Sequence, residues 1–171
     1  MPNLDAYLPD TEAILFEDDG AIPNSSLPVL IYHEVAAAAE PERCEELFAR
    51  NGWLGAWRDG IFDFHHFHST SHEVLGIVAG SAEVVLGGPA GQRFRVQRGD
   101  VLALPAGTGH CNAGSRQLLV VGAYPDGRSW DLRRGDPAEH DQALANIRAV
   151  PLPDADPVYG ASGPLTELWV S

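Results

Sequence analysis

The sequence predicts a mainly β protein, an antiparallel sandwich or barrel of short strands. Between Trp57 and Tyr124, turn signals recur at Gly80, Gly87-Gly88, Gly99, Gly107, Gly114 and Pro125-Asp126-Gly127, about 7 to 13 residues apart. Between them lie short runs rich in Val, Leu, Ile and Phe: Ile61–His68, Val74–Val78, Glu83–Leu86, Arg93–Gln97, Val101–Leu104 and Leu118–Tyr124. Many short strands punctuated by glycine suit a closed or two-layered antiparallel sheet.

The flanks are mixed. Ala13–Phe16 and Val29–Tyr32 read as short strands, separated by the turns Asp18-Asp19-Gly20 and Pro23-Asn24-Ser25. Glu40-Pro41-Glu42 opens a helix, because proline tolerates the first helical position and acids suit the positive end of the helix dipole. Cys44, Leu47 and Phe48 fall at helical spacing as its buried stripe, and Gly52 is a natural stop. Asp136-Pro137-Ala138-Glu139 has the pattern of a capping box, predicting a helix over 137–148. Pro151, Pro153 and Pro157 then force an extended arm carrying Tyr159, Leu165, Leu168 and Trp169, expected to lie against a sheet or to embrace a partner subunit. The expectation is one domain over 1–171, with a barrel core at 57–124, an N-terminal extension at 1–56 and a helix and arm at 125–171.

Composition narrows the function. The chain has 171 residues, 11 basic and 24 acidic, for a formal charge of −13. Such a chain repels phosphate backbones and anionic membranes, so nucleic-acid and membrane partners are not expected. The longest apolar stretch, 27–39, is interrupted by His33 and Glu34 and is too short to span a bilayer. Met1-Pro-Asn-Leu-Asp5 lacks the basic start and apolar core of a signal peptide. Cys44 and Cys111 are far apart and form no framework, which suits two reduced thiols in a cytoplasmic protein.

The chemistry lies in the histidines. Four of the seven crowd into eight positions, His65, His66, His68 and His72, with Glu73 next; His110 comes later, after Pro105-Ala-Gly-Thr-Gly109. On a strand, His66 and His68 share a face, about 7 Å apart. Phe62 and Phe64 share it too, as pocket lining or barrel core. Three neutral imidazoles and one carboxylate suit Fe, Mn, Co, Ni, Cu or Zn better than Mg or Ca, and four protein ligands on an octahedral ion leave two positions open.

The wider spacing points to a family. From Gly60 the chain reads five residues, His66, one residue, His68, four residues, Glu73, six residues, Gly80. From Gly99 it reads five residues, Pro105, one residue, Gly107, two residues, His110. These strings resemble the two motifs of the cupin superfamily, covering about residues 57–124. The resemblance implies a double-stranded β-helix, or jelly-roll barrel. It also implies that His66, His68, Glu73 and His110 hold one divalent transition metal (Fe, Mn, Ni, Co or Zn). The family's second motif ends in Asn at the position of Gly114; here Asn112 stands two residues early. The flanks, with Gly122-Ala-Tyr-Pro125, Ser129-Trp-Asp131 and Pro157-Val-Tyr-Gly160, look similar to a group of single-domain bacterial cupins with no known reaction.

A three-residue gap after His68, used by some cupins, would put His72 on the metal. Strand alternation sends His72 and Glu73 to opposite faces, and the interval to Gly80 favours Glu73. His72 is thereby a candidate for proton transfer, and Tyr124, at a barrel end, for presenting a phenol to a ligand. Arg93 and Arg95 alternate with Phe94 and Val96 and are expected to face solvent. The resemblance supports a metal-dependent enzyme acting on a small organic molecule, of dioxygenase, isomerase or decarboxylase type. The alternative is a non-catalytic binding or sensing module. A homodimer is expected with either.

Overall fold

The computed structural model describes residues 10–171, so the reading of Met1–Asp5 lies outside it. Seven strands are present among the described residues: β1 (Thr11–Ile14), β2 (Val29–Tyr32), β3 (Trp53–Asp59), β4 (Glu73–Leu86), β5 (Gln92–Gln97), β6 (Val101–Leu104) and β7 (His110–Pro125). They form one antiparallel sheet in the order β1-β2-β6-β4-β7-β3, with β5 also paired to β4. The fold is the jelly-roll β barrel that the motifs imply.

β4 explains how the sheet rolls up. Its first part, Glu73–Gly76, lies between β6 and β7; its last part, Ser81–Leu86, lies between β5 and β7. The register with β7 shifts around Ala79–Ser81, at Gly80. Gly80 has φ +72°, and a Cβ there would sit 2.2 Å from the Arg116 carbonyl oxygen. Only glycine lets β7 approach so closely at this bend. Val74–Val78 and Glu83–Leu86, read as two strands, are therefore one bent strand, and Gly80 is its corner rather than a turn.

Alternation along β4 divides the interior in two. Leu75 and Ile77 face a cluster with Ile31, Val84, Leu102 and Val120. Val74 and Val78 face a second cluster with Cys44, Phe48, Trp53 and Trp169. Helix α1 (Pro41–Arg50) brings Cys44, Leu47 and Phe48 to this second cluster, as its spacing predicts, and its chain turns at Gly52. α1 packs directly on Gly76, where a Cβ would lie 2.4 Å from the Cys44 sulfur.

The C-terminal arm covers the same face and belongs to its own chain. Asp156, fully buried, accepts hydrogen bonds from the Tyr32 hydroxyl and from the amides of Val158, Tyr159 and Leu165. The Trp169 indole N–H donates to the Pro28 carbonyl. Trp169 thus packs within its own chain, and the arm contains a short helix, α3 (Pro164–Leu168), that its prolines did not predict.

Other elements shift from expectation. β1 lies at Thr11–Ile14 rather than 13–16, and β3 was not anticipated. Helix α2 (His140–Ala149) follows a 3-10 turn at Pro137–Glu139. Asp136 accepts from the Ala138 amide there, but the Glu139 carboxylate pairs with Arg133 instead of completing a capping box. Gly114 is no turn either: β7 runs through it, with Ala113 bulged opposite the Glu83–Val84 step and the Gly114 amide donating to the Asn112 side chain. Arg93 and Arg95 are exposed, as expected. No helix among the described residues is long and apolar enough to cross a membrane.

Candidate metal centre

The segment 61–68, read as a strand, bends at Asp63–Phe64 and forms only isolated bridges. From His66 to His68 it changes partner at every residue. His66 exchanges backbone hydrogen bonds with His110, Phe67 with Arg133, and the His68 carbonyl accepts from the Gly107 amide. No ladder can develop from such pairing, yet it anchors both histidines. Glu73 is the first residue of β4 and His110 the first of β7, so the rigid strands fix the other two groups.

The side chains converge. His66, His68 and His110 each offer a ring nitrogen within 4.8 Å of the others, and all three are buried. The Glu73 carboxylate oxygen lies 3.4 Å from His68 Nε2 and 3.3 Å from His110 Nε2. The outer nitrogens set the tautomers. Each Nδ1 faces a backbone carbonyl, which can only accept: Phe64 for His66 at 2.9 Å, Asp131 for His68 at 2.5 Å and Thr108 for His110 at 3.0 Å. Each Nδ1 therefore carries the proton, and each Nε2 turns a lone pair inward. Three inward lone pairs meet beside the Glu73 carboxylate, a donor set that fits a cation.

Protonation behaviour follows from this crowding. Burial, reinforced by neighbouring His110, lowers the His66 pKa to about 3. Burial opposes protonation of His68 as well, but Glu73 outweighs it and raises the value. Burial alone would raise the Glu73 pKa; its pairing with the imidazoles of His110 and His68 reverses this and holds it well below the carboxylate range.

A cavity of about 290 Å³ opens above these four groups, walled by Leu75, Trp57, Phe62, Tyr124 and Trp130. Phe62 stacks on Phe64, ring centroids 4.8 Å apart, and sets its edge against His66. Tyr124 lines the cavity, and its hydroxyl accepts from the Trp57 indole N–H at 2.8 Å. Burial, followed by the Glu73 charge, pushes the Tyr124 pKa up, so the phenol stays neutral. His72 is elsewhere. It lies on the opposite face of the chain from Glu73, accepts at Nδ1 from the Ala106 amide and packs against Trp169, with ring centroids 4.9 Å apart.

Two contributors were missed in the sequence. Asp131 holds the 129–133 loop against the histidine segment: its carboxylate accepts from the Ser69 amide and hydroxyl and from Arg133 Nε, while its carbonyl accepts from His68. Trp57 lies flat on Gly122, where a Cβ would come within 2.1 Å of the indole. A glycine inside a strand was the available signal for close approach, but not for what approaches.

A family model described as Cupin matches residues 59–126. The uncharacterised protein YjlB of Bacillus subtilis is 36% identical over 163 residues, which is 94% of this chain and 98% of YjlB. The chain is a cupin. Among solved structures, this cupin is similar to acireductone dioxygenase from Bacillus anthracis with cadmium in its active centre, at 20% identity and a TM-score of 0.37. That match covers 48% of this chain and 57% of the dioxygenase. Oxalate decarboxylase of Bacillus subtilis matches at 19% identity and a TM-score of 0.37, covering 67% of this chain and 29% of that one. A DUF861 family protein from Thermotoga maritima matches at 22% identity and a TM-score of 0.31, covering 49% of this chain and 88% of that one. This chain thus spans just over half of the dioxygenase and under a third of the decarboxylase.

Proposed function

We propose that this cupin is a metal-dependent enzyme acting on a small organic molecule, of dioxygenase, isomerase or decarboxylase type. His66, His68, Glu73 and His110 hold one divalent transition ion, Fe, Mn, Ni, Co or Zn. The observation that carries this reading is the set of three imidazole nitrogens within 4.8 Å of one another, with the Glu73 carboxylate beside two of them, at the floor of an open cavity. Bound there, the ion supplies Lewis-acid polarisation of a substrate oxygen or, as iron, access to oxygen chemistry. The protein's own groups do the rest. The backbone carbonyls at Phe64, Asp131 and Thr108 hold the imidazoles in one tautomer. Tyr124 offers a neutral phenol within the cavity, so we assign it the proton-handling role rather than His72, whose ring packs on Trp169.

The proposal extends to one domain with its barrel core at 57–124, to a cytoplasmic location, which the free thiols of Cys44 and Cys111 support, and to a homodimer, for which the exposed Tyr159 and Val170 supply apolar surface. Elemental analysis of protein purified without a histidine tag tests the metal, with about one ion per chain expected. Oxygen-uptake and metabolite screens on the loaded protein test turnover. Ligand binding without turnover would make it a binding module instead.

A further inference from the structure

We propose that the cavity selects a flat, conjugated or aromatic small molecule that bears an oxygen donor for the metal and at most one negative charge. The inference rests on the metal reading above and adds the substrate class. The walls give the shape. Trp130 and Tyr124 stack with ring planes 20° apart, and Trp130 meets His68 edge to face at 5.0 Å. Phe62 and Trp130 remain 49% and 45% exposed, although both border the buried histidines. Large aromatic surface left open beside a polar floor is what a ring-bearing ligand covers. At about 290 Å³ the space suits a molecule of one or two rings.

Charge gives the second half. A divalent ion held by three neutral imidazoles and one carboxylate carries a single net positive charge. One anionic oxygen donor neutralises it; a second buried negative charge needs its own cation. The cavity has none to offer. Arg58 is the basic residue at its border, and its guanidinium is turned outward to Glu45, with Glu42 at 3.5 Å. Asp59, also at the border, adds a negative charge. The Tyr124 hydroxyl lines the cavity with one lone pair taken by Trp57, so it meets a ligand oxygen as a neutral group that adds no cation.

The test uses the full chain loaded with cobalt, whose visible absorption reports ligands entering its coordination shell. Three chelators serve as probes: tropolone (flat, singly charged), acetohydroxamate (singly charged, no ring) and oxalate (doubly charged). Trp130→Ala should weaken tropolone about tenfold and leave acetohydroxamate within about twofold, which cancels intrinsic chelating strength. Phe62→Ala is the second variant should Trp130→Ala fail to fold. Ile61→Arg, placing a cation at the cavity wall, should strengthen oxalate about tenfold. Equal losses for tropolone and acetohydroxamate, or oxalate bound by the unaltered protein as tightly as tropolone, would overturn the substrate class while the metal reading stands. Absence of bound cobalt would overturn both.

Discussion

His66 and His110 are locked together through the main chain. The His66 amide donates to the His110 carbonyl at 3.2 Å and the His110 amide to the His66 carbonyl at 2.9 Å, and their ring centroids lie 4.0 Å apart. Residues 44 apart in sequence are thereby fixed side by side by a pair of main-chain hydrogen bonds. The centre is assembled by the fold, so a ligand entering it meets side chains already in place.

Asp131 should matter to the metal without touching it. Asp131→Ala removes the carboxylate that ties the loop to Ser69 and Arg133, freeing the carbonyl that orients His68. The expected outcome is metal affinity lower by about 10- to 100-fold with the barrel intact, read by competition with a chromophoric chelator and by circular dichroism. Affinity unchanged within about twofold would show that the loop holds its place without that carboxylate.

Gly122 should be needed for Trp57. In Gly122→Ala the new methyl and the indole cannot both occupy their places, since 2.1 Å separates them. Overpacking of this kind costs about 1–3 kcal/mol. Thermal unfolding should show the loss, and metal stoichiometry should remain at the wild-type level because the ligands lie on other residues. An unchanged Tm would mean that Trp57 moves at no cost.

His33 should make stability depend on pH. Its Nε2 lies 2.6 Å from Glu12 on β1 and its Nδ1 3.1 Å from Asp100 beside β6. Burial lowers its pKa, but the two carboxylates outweigh this and raise it above the ordinary 6.5. A raised folded value means stability that is complete below the unfolded pKa and fades as pH rises through the folded one. His33→Gln should therefore lower Tm at about pH 5.5 and have little effect at about pH 9. An equal loss at both would assign His33 a role that does not depend on its charge.

Legibility in the sequence followed the range of the forces involved. α1 was readable from Pro41, Cys44, Leu47 and Phe48, because helix periodicity and its stop are local. The four residues at the cavity floor were readable because two separate spaced strings carry them, His66, His68 and Glu73 in the first and His110 in the second. β4 was split at Gly80 because a glycine that admits a neighbouring strand resembles one that makes a turn; the difference is the Arg116 carbonyl, 36 residues away. The 61–68 segment alternates like a strand but finds no continuous partner, which depends on where 107, 110 and 133 arrive. Trp57 and Asp131 escaped for the same reason: their partners, Gly122 and His68, are distant in the chain and adjacent only in the fold.

The most direct measurement is an anomalous-scattering map from crystals of zinc-loaded protein, recorded on both sides of the zinc edge. The account predicts a single strong peak about 2.0–2.2 Å from Nε2 of His66, His68 and His110 and from a carboxylate oxygen of Glu73. A map with no peak among these residues, or with zinc bound elsewhere while His110 stands apart, would contradict it.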